Sequence, residues 1–250
     1  MLSHPGRVRQ GNEDACAVDV DHGAFVVCDG VGGAAGGEIA SQIAAEALIE
    51  SLRETEGSCA DRLARSVEAA NTRVYQQARQ NRGLRGMGTT LVALLMEDRP
   101  SAANPDGRAI WLANIGDSRC YRLRDRQLKQ LTDDHSVVEE QVRAGYITRQ
   151  QAELSPIRNV ITRALGSESV VDADIHGLEA AAGDLYLLAT DGLTRELTDE
   201  QIAAILLQGG LSSRAGELEG RVGTLCESLV DAANANGGGD NITCVLVYLH

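Results

Sequence analysis

The chain has 250 residues, 43% hydrophobic and 24% charged, near the globular average, which disfavours a disordered, collagen-like or coiled-coil chain. At this size roughly 70% of the unfolded surface is buried on folding, and with one Trp, five Tyr and one Phe the core must be mainly Val, Leu, Ile and Ala. A net charge of −13 without a Lys/Arg cluster repels a phosphate backbone or an anionic membrane, so nucleic-acid and membrane binding are not expected.

At the N-terminus, Met1-Leu2-Ser3-His4-Pro5 lacks the basic-then-apolar order of an export signal, and no apolar run is long enough to span a bilayer. A cytoplasmic protein is expected. Two strand-like runs follow, Ala15 to Val20 and Gly23 to Cys28, joined tightly across Asp21-His22. After a glycine-rich stretch from Gly30 to Gly37, apolar residues recur at helical spacing at Ile39, Ile43, Ala47 and Leu48, then at Leu63, Val67, Ala70, Val74 and Ala78. Both helices should lie against a sheet.

From Thr89 the period is that of strands: Leu91 to Met96, Ala109 to Ile115 and Arg119 to Leu123. Asn104-Pro105-Asp106-Gly107 turns between the first two and Gly116-Asp117-Ser118 between the last two, which reads as an antiparallel meander. Ser136 to Leu154 is polar and helix-like, ends at Ser155-Pro156 and interrupts the β pattern as an excursion. Asp184 to Thr190 and Ile242 to Leu249 read as strands, with helices between them at Glu200 to Leu207 and Leu218 to Ala233. No repeat or linker divides the chain, so 1–250 is expected to form one α+β domain of antiparallel sheets packed together and covered by helices. Cys16, Cys28, Cys59, Cys120, Cys226 and Cys244 form no C-x-x-C pair and are read as reduced thiols acting as small core residues.

Three aspartates stand where an apolar run meets a turn: Asp29 after Ala24 to Cys28, Asp191 after Leu185 to Thr190, and Asp240 before Asn241-Ile242. Asp-Gly and Asp-Asn are ordinary turn dipeptides taken singly, but strand ends hold side chains rigidly at a sheet's rim, where the three could converge. Converged carboxylates repel one another and take up protons unless a cation neutralises them, and all-oxygen ligation selects hard ions such as Mg²⁺ or Mn²⁺. Asp172-Ala173-Asp174-Ile175-His176-Gly177 begins like a calcium loop, yet Gly183 stands where a bidentate Glu is needed. Arg9 precedes Glu13-Asp14. Its guanidinium could clamp a phosphate and Glu13 could add an oxygen ligand, although such a stretch alone is more often a solvated loop. The glycine-rich stretch contains no Lys, which argues against a nucleotide loop and for a tight turn that brings a backbone carbonyl near an ion.

Eight blocks in order carry a resemblance over nearly the whole chain. They are Val8-Arg9 to Asn12-Glu13-Asp14, Asp29-Gly30-Val31-Gly32-Gly33, Gly86-Met87-Gly88-Thr89-Thr90-Leu91, Ile115-Gly116-Asp117-Ser118-Arg119, Leu131-Thr132-Asp133-Asp134-His135-Ser136, Ile161-Thr162-Arg163-Ala164-Leu165-Gly166, Ala189-Thr190-Asp191-Gly192-Leu193 and Gly239-Asp240-Asn241-Ile242-Thr243. In these the sequence resembles the bacterial metal-dependent Ser/Thr protein phosphatases of the PPM, or type 2C, family. The resemblance implies a central antiparallel β-sandwich flanked by pairs of helices, two to three divalent cations (Mn²⁺ or Mg²⁺), and hydrolysis of phosphoserine and phosphothreonine by direct attack of a metal-bridging hydroxide. On matching positions Asp29 would bridge two ions, Asp191 and Asp240 would complete one, and Glu13 with the Gly30 carbonyl would help hold the other. Asp14 would act through water, Asp117 would join Asp191 at a third ion, and Arg9 would bind the substrate phosphate. The segment at about 136–160 matches the variable flap beside the site.

The implied partners are phosphorylated Ser/Thr proteins, with a cognate Ser/Thr kinase whose action is opposed; the opening Ser3-His4-Pro5-Gly6 loosely resembles phosphatases of type VI secretion control. A monomer is the default expectation. Two departures stand out: Val31 removes an imidazole acid that many eukaryotic members carry there, and Arg195 replaces a smaller polar or acidic residue. Cys59 to Arg65 and Cys120 to Arg126 both fit the C-x₅-R spacing of cysteine phosphatases, but neither has a glycine-rich loop to aim N–H groups at phosphate. A phosphoprotein-binding pseudophosphatase is the non-enzyme alternative, against which stands the presence of every acid that the resemblance assigns.

Overall fold

The computed structural model describes residues 1–32, 34–97, 109–209 and 215–249. Strand β3 (Ala24–Val31) shows what the sequence demands: Phe25 and Val27 face one way, Ala24, Val26 and Cys28 the other, and all are buried, so it needs cover on both faces. It lies in a six-stranded sheet with β2 (Asp14–Asp19), β5 (Leu91–Glu97), β6 (Ala109–Ile115) and β9 (Asp174–Glu179), in the order β2-β3-β5-β6-β9, with β4 (Gly88–Thr89) pairing beside β3. A five-stranded sheet, ordered β1 (Leu2–His4), β11 (Ile242–Tyr248), β10 (Leu185–Ala189), β7 (Arg119–Arg124) and β8 (Gln127–Gln130), packs against it.

Phe25, Val27, Leu94 and Leu112 from the first sheet meet Cys120, Tyr186, Leu188 and Val245 from the second in one buried cluster. On the outer face of the six-stranded sheet, Val26, Cys28 and Ala93 pack beneath Leu48 of α1 (Ala34–Glu54) and Leu63 and Val67 of α2 (Cys59–Gln80). On the other outer face, Leu187 and Leu246 pack beneath Ile202 and Leu206 of α6 (Asp199–Gln208) and Leu225 and Leu229 of α7 (Ala215–Asn236). The expected sandwich flanked by helix pairs is what forms. Between β8 and β9 in the chain, the excursion folds as two short helices, α3 (Val137–Arg143) and α4 (Arg149–Glu153), the second closed by a Thr148/Gln151 capping box. Among the described residues no helix is long and apolar enough to cross a membrane. All six cysteines are free thiols, and every one except the partly buried Cys16 is buried.

Two expectations need correction, the place of Arg119 to Leu123 and the end of β3. The run from Arg119 is not the third strand of a meander. After Gly116, at φ +96° where a Cβ would collide with Thr90, the chain crosses to the other sheet and β7 pairs with β10 and β8. β3 does not end before Asp29 but continues to Val31, pairing Gly30 with Thr89, so Asp29 is a strand residue rather than a turn residue. The stretch that begins like a calcium loop is largely β9, paired along β6 from Asn114↔Asp174 to Ala109↔Glu179. The expected turn at Asn104 to Gly107 lies outside the described residues.

The first and last strands are knitted together. β1 pairs with β11 from Leu2↔Cys244 to His4↔Ile242. Buried Asn241 donates its amide to the carbonyls of Pro5 (3.0 Å) and Gly11 (2.9 Å), and its Oδ1 accepts from the Glu13 N–H at 2.8 Å. Asn241→Ala leaves those groups unpaired. It should cost about 1–3 kcal/mol, the range for stranded buried hydrogen-bonding groups, read as a lower midpoint with unchanged slope in urea unfolding of the metal-free chain.

Candidate metal centre

The sandwich gathers aspartates from both sheets at one end. Asp14 of β2 stands directly opposite Asp29 of β3 in the strand register. Asp191 opens α5 (Asp191–Thr194), the short helix after β10, and Asp240 lies two residues before β11, which pairs with β10 through Ala189↔Cys244. Asp117 occupies the turn between β6 and β7, and the first residue of β7, Arg119, pairs with Ala189.

Proximity shows in their acidity. Burial, then the charges of Asp191, Asp14, Asp117 and Asp240, hold the Asp29 carboxyl well above the usual carboxylate range. Burial pushes Asp14 up to about 7, against hydrogen bonds from Thr243 and Thr190 and with the added push of Asp191 and Asp240. Asp117 is likewise pushed up to about 7, by burial and then by Asp191, while Arg195 pulls it down. Asp191 is raised by burial, with Arg195 opposing.

Hydroxyls fix the frame around these acids. Thr190 Oγ1 donates to Asp14 Oδ2 at 2.9 Å, the Asp29 N–H donates to Thr90 Oγ1 at 2.9 Å, and Thr90 Oγ1 shares a 2.7 Å hydrogen bond with Ser118 Oγ. On the side of α1, the Gly30 N–H donates to the Glu13 carbonyl at 3.1 Å. Gly37 completes this corner: a Cβ there would collide with Glu13 Oε2 and with the Gly30 carbonyl, so only glycine leaves those two oxygens room to share one concavity. Sequence reasoning named Glu13 and Gly30 and missed Gly37, although the Gly36-Gly37 pair ahead of an amphipathic helix was a visible signal.

Two arginines supply the positive charge. Arg9 Nη2 donates to Asp240 Oδ2 at 2.9 Å from a side chain 53% exposed, so the residue expected to grip phosphate stands at the mouth of the site. Arg195 pairs with Asp191 and lies 3.6 Å from Asp117 Oδ2 and 3.8 Å from Asp240 Oδ2. Among the described residues no group of three or more His, Cys, Asp or Glu is arranged to hold an ion, and the guanidinium groups contact the acids instead. Even so, the buried Oδ1 atoms of Asp14 and Asp191 have no hydrogen-bond partner. Unpartnered carboxylate oxygens beside proton-retaining neighbours are a donor set suited to a hard divalent cation.

The cysteine alternative has no comparable geometry. Cys120 is sealed between the sheets with its thiol pKa pushed up by burial, Cys59 is buried at the start of α2, and Arg126 sits in the β7–β8 turn. Beside the acids opens a groove of about 760 Å³, with Asp117, Asp191 and Arg195 at one end and Ser136, Val138 and Glu139 of the excursion along its length.

This layered sandwich is that of a protein phosphatase. It matches the crystal structure of the Mycobacterium tuberculosis serine/threonine phosphatase PstP/Ppp with a TM-score of 0.84 and 35% identity, over 100% of this chain and 97% of that one. The chain belongs to the protein phosphatase 2C family, whose model matches residues 6–218. It is 34% identical over 250 residues to the serine/threonine phosphatase stp of Listeria monocytogenes, covering 97% of this chain and 92% of that protein. The catalytic domain of PstP in complex with two manganese ions is similar too, with a TM-score of 0.80 and 34% identity over 98% of this chain and 94% of that one.

Raised carboxyls couple cation binding to protons. Groups with folded pKa near 7 are largely protonated below that pH and must lose the proton to ligate, so binding releases protons below pH 7 and few well above it. Mn²⁺ added at pH 6.5 in weak buffer should acidify the solution more per ion bound than at pH 8.5, which a pH-stat or calorimetry in buffers of different ionisation enthalpy measures.

Proposed function

We propose that this chain hydrolyses phosphoserine and phosphothreonine on proteins with divalent cations bound at the carboxylate end of the sandwich. The observation that carries this is the meeting of Asp14, Asp29, Asp117, Asp191 and Asp240 from both sheets, with buried oxygens of Asp14 and Asp191 left unpartnered. Asp29, central to the mutual repulsion, would be shared between two ions. Asp191 and Asp240 would complete one and Glu13 with the Gly30 carbonyl the other, with Asp117 joining Asp191 if a third binds. Mn²⁺ fits this set and so does Mg²⁺, both being hard oxygen-seeking ions. Such ions supply Lewis acidity and make water nucleophilic near neutral pH.

The chain's own residues do the rest. Arg9, half exposed and paired with Asp240, would exchange that carboxylate for two phosphate oxygens of the substrate and hold it in line. Asp14, oriented by Thr190 Oγ1, would accept a proton from water at the site. The groove beside the excursion would receive the polypeptide around the phosphorylated side chain. We read residues 1–250 as one catalytic domain acting on the products of a Ser/Thr kinase. The link to type VI secretion control rests on the opening Ser3-His4-Pro5-Gly6, of which Ser3 and His4 belong to β1.

Phosphothreonine peptide hydrolysis should require Mn²⁺ or Mg²⁺, stop on chelation and survive thiol alkylation of the native chain, whose cysteines are nearly all buried. Asp29→Ala and Asp191→Ala should each lower kcat by about a hundredfold or more, the scale of losing a principal electrostatic stabiliser. Full activity in either variant, or none in the unmodified chain with Mn²⁺, would overturn the assignment. Arg9→Ala should raise KM by about tenfold or more, the scale of one charge-assisted contact.

A further inference from the structure

Among the described residues, Arg195 is the one cation within 4 Å of three of the clustered acids. It caps the C-terminus of α5, one turn beyond Asp191, and its N–H donates to the Asp191 carbonyl at 2.8 Å. The helix therefore aims the side chain back over its own first residue. The guanidinium pairs with Asp191 Oδ2, approaches Asp117 Oδ2 at 3.6 Å through the same Nη2, and approaches Asp240 Oδ2 at 3.8 Å through Nη1. Two of these partners, Asp117 and Asp191, are buried, and Asp191 Oδ1, the oxygen that Arg195 does not engage, has no hydrogen-bond partner.

A guanidinium cannot lose its proton at any pH a protein survives, so this charge does not titrate away. It leaves only if the side chain swings out. The groove that it lines gives it somewhere to go. A divalent ion approaching Asp117 and Asp191 meets a fixed positive charge already seated within about 4 Å of the oxygens that it needs, and repulsion at that range in a half-buried site is a strong opposing effect.

We propose that Arg195 is a built-in counter-cation: it neutralises Asp117, Asp191 and Asp240 in the metal-free chain and competes with the divalent ion that Asp117 and Asp191 would hold, making that ion the last to load. The inference rests on the metal reading above and adds a residue that sets how many ions the chain carries at a given concentration. Arg195 is thus a positioning residue for the acids, not a ligand.

The test is calorimetric titration of Mn²⁺ into the metal-free chain, Arg195→Gln and Arg195→Lys, together with thermal unfolding of each with and without Mn²⁺. In Arg195→Gln the weakest Mn²⁺ site should tighten by about tenfold or more, from loss of the opposing charge. Its metal-free form should melt at a lower temperature than the unmodified chain, because the acids have lost their partner, and saturating Mn²⁺ should close that gap. Arg195→Lys keeps the charge without the fork that spans several carboxylates, so its affinity should fall between the two. Stoichiometry and dissociation constants within about twofold of the unmodified chain in a folded Arg195→Gln variant would overturn the counter-cation. If Gln fails to fold, a Lys variant indistinguishable from the unmodified chain in affinity and in metal-free melting would do the same. No Mn²⁺ uptake by the unmodified chain would overturn the metal reading itself.

Discussion

Mutual repulsion among carboxylates is the constraint on which the rest of the structure turns. Two sheets converge at one end, and their strands deliver Asp14, Asp29, Asp117, Asp191 and Asp240 into a space where Asp14, Asp117 and Asp191 are buried. Such a cluster survives in a folded chain only by keeping protons, by recruiting cationic side chains or by binding metal. This chain shows the first two, in the raised pKa values of Asp14 and Asp29 and in the arginines on Asp240. The third is the reading that its unpartnered oxygens support. Everything else at that end keeps the acids from springing apart: the Thr90–Ser118 pair, the Thr190 hydroxyl on Asp14, and the glycine that makes room at Glu13.

The layers explain why the acids can be held so firmly. A core with few aromatics lets small side chains such as Ala40, Ala44 and Ala93 bring helix close to sheet, and tight packing passes little play to the strand ends. The adjoining excursion is built differently. Its helices are short and Tyr146, Leu154, Ile157 and Val160 are exposed, so the acids stand on rigid strand ends while the groove wall is made of loosely packed chain.

Much of this was legible in the sequence because it is written in period and punctuation. The short apolar run Ala24 to Cys28 gave a strand, the i, i+4, i+7 spacing of Leu63, Val67, Ala70 and Val74 gave a helix, and acids at the ends of apolar runs pointed to the candidate site. What period cannot carry is partnership. Arg119 to Leu123 alternates equally well in either sheet, and only the backbone at Gly116 sends it across. β9 went unread because Asp174 to Glu179 is partly exposed and mixes charge with glycine, so its identity comes from β6 rather than from its own residues. Arg195 was visible as an oddity, but its meaning depends on Asp117 and Asp240, which are distant in sequence and adjacent only after folding.

The pairing of β1 with β11 has a consequence for how the protein is born. A ribosome making this chain exposes Arg9, Glu13, Asp14 and Asp29 early, yet their lattice is closed by Asn241 and by strand β11, translated more than two hundred residues later. Until then the opening segment has no edge to dock on and no carboxamide to tie it down. Sequence separation of this kind slows folding and leaves open edges waiting. The frame around the acids therefore closes only once β11 has been made.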